Sequence, residues 1–171
     1  MNKLNHFLTA LAATLLAARG CPQTLPPAIL GALVFGVLVD LDHLASRGPW
    51  WHRRTWIQEV TGLLVLGVPL AAAANAAWPG AWAYVLPPYA SHIVLDYLCV
   101  FEARPLDPLP WPLKREGLGV FYPDDPWHSG NAERWRRRVA ERGYRAVSEN
   151  LYTPAAALLL AIALAACWGL V

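Results

Sequence analysis

Two short stretches carry the residues that could do chemistry. Val39-Asp40-Leu41-Asp42-His43 closes an apolar run that starts near Leu25, and Ser91-His92-Ile93-Val94-Leu95-Asp96 closes another. Carboxylates and imidazoles at the mouth of a membrane-grade apolar segment are costly unless they face a polar interior, pair, or bind a cation. His92 and Asp96 are spaced i,i+4, so a helix presents both from one face. Asp40 and His43, at i,i+3, share a second face. Asp42 points elsewhere if that helix continues and turns inward if it ends there. Imidazole with carboxylate suits Zn, Mn or Fe, whereas Ca and Mg favour shells of oxygen alone. The alternative is a buried Asp–His pair bracing two helices. Nothing in the chain matches a Ser-His-Asp, Walker or dinucleotide signature.

A divalent ion held by part of this set would lower the pKa of bound water toward neutrality and polarise an ester or phosphoester oxygen. His6, Asp40, Asp42, His43, His92 and Asp96 are the candidate ligands. His52 and Asp42 are the candidate catalytic residues, His52 as the general base or as a further ligand. Arg53 and Arg54 beside it could clamp a phosphate with their forked donors; the alternative is a topogenic basic pair that touches headgroups. Asp124-Asp125-Pro126-Trp127-His128 could fold over the site or be an exposed turn. Trp127, Trp111 and the Trp50-Trp51 pair read as interface anchors.

The elements that must position these residues are apolar. Hydrophobic residues make up 56% of the 171 and charged residues 15%, against about 45–50% and 25% in soluble domains. Nine Trp and six Tyr favour a membrane–water interface. Cys21, Cys99 and Cys167 lie far apart and read as apolar packing residues. The pattern predicts an all-α integral membrane bundle of about five spans in one domain, at 4–19, 26–45, 57–77, 81–101 and 154–171. The first run is short, about 22–24 Å, and a cleaved signal peptide is its rival reading; Arg19 fits poorly with a small-x-small cleavage site. Pro26 or Pro27 starts the second span. Pro69 is expected to kink the third, and Trp78-Pro79-Gly80 to form a tight turn. Pro87-Pro88 falls inside the fourth, freeing carbonyls that neighbouring groups must satisfy.

Residues 102–153 form a polar insert of about fifty residues, far longer than an ordinary connection. It is proline-rich at first. From Asn131 to Asn150 it reads as a basic amphipathic helix interrupted at Gly143, with Trp135, Val139 and Val147 on its apolar side. Such a helix suits an anionic membrane surface; a solvated face or a nucleic-acid patch is the lesser reading. With five spans, Lys3, Arg47, Arg53, Arg54 and the basic residues from Arg104 to Arg145 share one side, and Arg19 alone takes the other. Short-loop Lys and Arg stay cytoplasmic, so the N-terminus is placed inside a bacterial-type inner membrane. On that map all five histidines fall on the cytoplasmic side.

These motifs resemble the YdjM-like inner-membrane proteins, also described as LexA-binding membrane-associated hydrolases or predicted membrane-bound metal-dependent hydrolases. That pattern has an early His, Pro-Asp-x-Asp-His, His-Arg-Gly-x-Thr-His-Ser, Ser-His-x-x-x-Asp and a proline-bearing segment. Here they appear as His6, Val39-Asp40-Leu41-Asp42-His43, His52-Arg53-Arg54-Thr55-Trp56, Ser91-His92 with Asp96, and Pro110-Trp111-Pro112-Leu113. The resemblance runs over residues 1–115 and implies a hydrolase. Val39 replaces the usual Pro, and Trp56 stands where a second loop His is expected. Either His128 substitutes for that His, or the site holds fewer ions, or activity is lost.

The expected function is therefore metal-dependent hydrolysis at the cytoplasmic face, on a phospholipid or other phosphoester, with Zn as the favoured cofactor and Mn or Fe as alternatives. Membrane lipids are the expected partners. One rival is a non-enzymatic scaffold whose basic insert recruits a cytoplasmic protein or anionic lipid. Another is a metal or proton transporter, against which the outer halves of the spans offer mainly Ala, Leu and Gly.

Overall fold

In the computed structural model, which describes residues 2–18, 24–41, 56–99, 118, 120–122, 137, 140–141 and 146–170, the first apolar run is a single helix, α1 (Lys3–Ala17). Its start is fixed by Asn2, whose side chain accepts the Asn5 amide at 2.8 Å. Leu and Ala then dominate with no Gly or Pro to break the helix.

The second run does not make one long helix. α2 covers Leu25–Gly36, opened by prolines in its first turn. The chain then tightens into a 3₁₀ turn at Leu38–Leu41. Over the described residues the expectation of a continuous helix is corrected, since α-helix stops at Gly36, the residue that costs a helix most after proline; residues 42–45 lie outside the described residues. Asp40 therefore rides on a turn.

The third run is a helical stretch, α3 (Val60–Ala77). It contains a π turn at Leu63–Gly67, in which the Val68 amide bonds the Leu63 carbonyl. Pro69 follows directly. Proline cannot donate to the carbonyl four residues back and its ring crowds it, and the widened turn lies over that stretch. The expected tight turn is present: Gly80 has φ +91° and its amide donates to Asn75 Oδ1 at 2.8 Å.

A 3₁₀ turn at Ala81–Tyr84 leads to α4 (Leu86–Leu98). Pro87 and Pro88 lie in its first turn, where an amide has no helical partner anyway. The prolines thus begin this helix and free no carbonyls within it. α4 ends at Leu98, short of residue 101, because Cys99 is extended and bridges to Phe121.

Within the insert, β1 (Phe121–Tyr122) and β2 (Val147–Ser148) pair in parallel, with Phe121 opposite Val147. The expected basic helix to Asn150 is corrected at this end: β2 and a 3₁₀ turn at Glu149–Leu151 occupy it. Trp135 and Val139 lie outside the described residues. The chain closes with α5 (Thr153–Cys167).

α1 is the centre of the packing, in contact with α2, α4 and α5. Ala10, Ala12 and Leu15 of α1 meet Ala28 and Ala32 of α2 and Ala163 of α5. Among the described residues, two helical stretches are long and apolar enough to cross a membrane, Val60–Ala77 and Glu149–Cys167. Leu25–Leu41 is apolar but shorter. The fold is mostly helical, with two such stretches where five spans were expected.

Candidate metal centre

Three elements converge near the start of α1. α4 carries His92 and Asp96 one turn apart, both buried. α1 brings His6 against them, and the two imidazoles stack with centroids 4.3 Å apart and planes 24° apart. The turn after α2 brings Asp40. His92 Nε2 lies 3.5 Å from Asp40 Oδ1 and 3.4 Å from Asp96 Oδ2. Asp96 Oδ1 lies 3.0 Å from His6 Nε2.

Gly36 makes this convergence possible. A Cβ there would meet the Ala10 Cβ at 2.5 Å, so the lack of a side chain lets α2 lie close against α1. The Gly36 carbonyl accepts a hydrogen bond from His92 Nδ1 at 3.0 Å. A carbonyl only accepts, so Nδ1 carries the proton. This is how a ligating histidine is commonly oriented from its far nitrogen.

With Nδ1 protonated, a neutral His92 has a lone pair on Nε2. That lone pair faces two carboxylate oxygens. Three acceptors without a hydrogen between them are relieved by a cation, by a second proton on the ring or by a proton on one carboxyl group. The separations suit a cation, since ligand atoms about 2.0–2.1 Å from a tetrahedral ion lie about 3.4 Å from one another. His6 points the same way. Neither of its ring nitrogens has a hydrogen-bond partner among the described residues, and the 3.0 Å approach of Nε2 to Asp96 makes no hydrogen bond. Leaving a buried polar group unsatisfied costs about 1–3 kcal/mol. One ligand atom each from His6, Asp40 and His92 lie within 4.8 Å of one another. Two nitrogens and a carboxylate oxygen, with Asp96 alongside, fit a zinc-type divalent ion.

The structure thus brings together His6, Asp40, His92 and Asp96. Asp42, His43, His52, Arg53, Arg54, Asp124, Asp125 and His128 lie outside the described residues. Trp56 opens a 3₁₀ turn, Trp56–Gln58, that packs against the turn carrying Asp40. Sequence reasoning missed Gln58 and Glu59, which are buried there. The signal was available, since a Gln-Glu pair at the entrance of an apolar run is as anomalous as Asp40. It also missed the buried Glu149 at the end of the insert, whose neighbours no local pattern reveals.

The family model described as YdjM inner membrane protein matches residues 1–171. The match includes the basic insert and α5, beyond the motifs at 1–115. No curated protein matches the chain, and no solved structure does.

Proposed function

This chain belongs to the YdjM inner membrane protein family, and on that premise we propose that it is a metal-dependent hydrolase working at the cytoplasmic membrane face on a phospholipid or another phosphoester. The observation that carries the reading is the meeting of the His92 Nε2 lone pair with Asp40 and Asp96 while Gly36 holds Nδ1. His6, Asp40 and His92 hold a divalent ion, with Zn the best match to the donor set and Mn or Fe the alternatives. Asp96, whose carboxylate lies 3.4 Å from His92 Nε2 and 3.0 Å from His6 Nε2, is a further ligand in this reading. When bound, the ion supplies Lewis-acid polarisation of the scissile ester and a lowered pKa for water. Asp42 and His43 are further candidate ligands in this reading, and His52 and Asp42 handle the proton. Arg53 and Arg54 grip the phosphate.

The chain is multi-pass with a cytoplasmic N-terminus in this reading. The two long apolar stretches support it, as does the one-sided distribution of Lys and Arg. α1, Leu25–Leu41 and the helix pair 81–98 complete about five crossings. The site then opens at headgroup depth, which is why a phospholipid is the natural substrate class.

The test uses chelated protein in detergent with phospholipid vesicles and bis(p-nitrophenyl) phosphate. Added Zn or Mn restores product release, and His92→Ala stays inactive with either substrate. Equal release by chelated and reloaded protein, or none with metal, overturns the hydrolase.

A second reading has an observation of its own. Two residues within the polar insert are tied to α4, the Leu118 amide donating to Tyr97 O at 2.7 Å and the Val120 amide to Leu98 O at 3.0 Å. An insert tied to α4 at these points and rich in basic residues suits a scaffold that recruits a cytoplasmic partner or anionic lipid. In that case deleting 131–150 abolishes function and His92→Ala leaves it intact.

A further inference from the structure

Two rungs of side-chain hydrogen bonds join α1 to the segment that enters α5. Asn5 donates from Nδ2 to the Glu149 carbonyl at 3.0 Å and accepts at Oδ1 from the Thr153 hydroxyl at 2.8 Å. One turn further, the Thr9 and Tyr152 hydroxyls are hydrogen-bonded at 3.1 Å. Asn5 is fully buried, so donor and acceptor sides of its amide are both engaged away from water.

Residues 5 and 9 share one face of α1, and His6 and Ala10 share the face about 100° round the axis. The rungs hold the first face to α5. The second face meets α2 at Gly36 and stacks His6 on His92. The two faces belong to one rigid helix, so fixing one aims the other.

From this geometry we infer that the Asn5 and Thr9 rungs set the rotation of α1 and thereby aim His6 into the metal centre. Asn5 is a positioning residue, and Glu149–Thr153 is part of the support of the site. The inference rests on the metal reading proposed above. A rotation of about 20° moves a side-chain tip at the helix's outer radius of about 5–6 Å by about 2 Å. Metal–ligand distances tolerate only about 0.2 Å. Apolar contacts around α1 hold it in place but are non-directional, so they do not fix its rotation that sharply. Directional hydrogen bonds do.

Co(II) titration of the full chain in detergent tests this, because its visible spectrum reports the ligand set and its geometry. Asn5→Ala is expected to weaken Co(II) binding about 10–100-fold, the range for residues that hold a ligand in place, and to change the band shape. Thr153→Val and Tyr152→Phe each remove part of a rung and give smaller shifts in the same direction. If Asn5→Ala does not fold, those two variants decide the matter by the same criteria. Wild-type affinity and spectrum in the folded variants, even with a lowered Tm, overturn the positioning role alone. A wild-type protein that binds no Co(II) overturns the metal reading and this inference with it.

Discussion

α1 and α5 are both 15 residues long and pack side by side, yet they are built for opposite surroundings. α1 carries Asn5, His6, Thr9 and Thr14, and all four are buried. α5 is nearly all Ala, Leu and Ile, and it leaves Leu158 63% and Ile162 48% exposed. In a water-soluble bundle the more apolar helix takes the centre. Here the polar helix does, and the apolar one faces out, as do Leu30 of α2 and Leu64 of α3. The difference teaches what the solvent is: for an inner membrane protein the surroundings are hydrocarbon, and burial selects polar groups that need partners.

That contrast can be broken most sharply with two leucines. Leu15 of α1 is fully buried, and Leu15→Ala is expected to cost about 2–5 kcal/mol through lost contacts and a cavity. Thermal unfolding in detergent, followed by circular dichroism, measures it. A loss well below 1 kcal/mol would deny α1 its place at the centre. Gly36→Val comes next. Its Cβ meets Ala10 at the α1–α2 contact, and overpacking of this kind costs about 1–3 kcal/mol. Metal retention should fall too, since the carbonyl that holds His92 must shift. A variant as stable and metal-competent as wild type would show that the close approach is incidental. Leu158→Ala on α5 has the smallest effect, under about 1 kcal/mol, because lipid replaces what the side chain touched. A cost equal to that of Leu15→Ala would mean the outer face of α5 is covered by protein.

The site was legible in the sequence to the extent that it is made of local patterns. His92 and Asp96 share a face because i,i+4 spacing on a helix requires it, and α4 delivers them so. Asp40 was visible as a charge at the end of an apolar run, but the turn that aims it was not. Whether a helix passes through Gly36 depends on what packs there, and the answer came from α1. Pro87 and Pro88 read equally well inside a helix or at its start; the bend at Gly80 and the turn at Ala81–Tyr84 decided for the start. Val147–Ser148 became a strand because Phe121 and Tyr122 offered an edge, a pairing across 26 positions that no local propensity announces. The Asn5 rungs were hidden for the same reason, since their partners lie more than 140 residues away.

The central claim is that a cation sits among His6, Asp40, His92 and Asp96. The rival is an added proton, on the His92 ring or on one carboxyl group, which would make the cluster a structural brace. Metal content of the purified, dialysed protein separates the two. The account expects a transition metal that survives dialysis in wild type and is lost in His92→Ala and Asp40→Ala. Wild-type protein with no bound transition metal after reloading with Zn, and no difference from either variant, contradicts it.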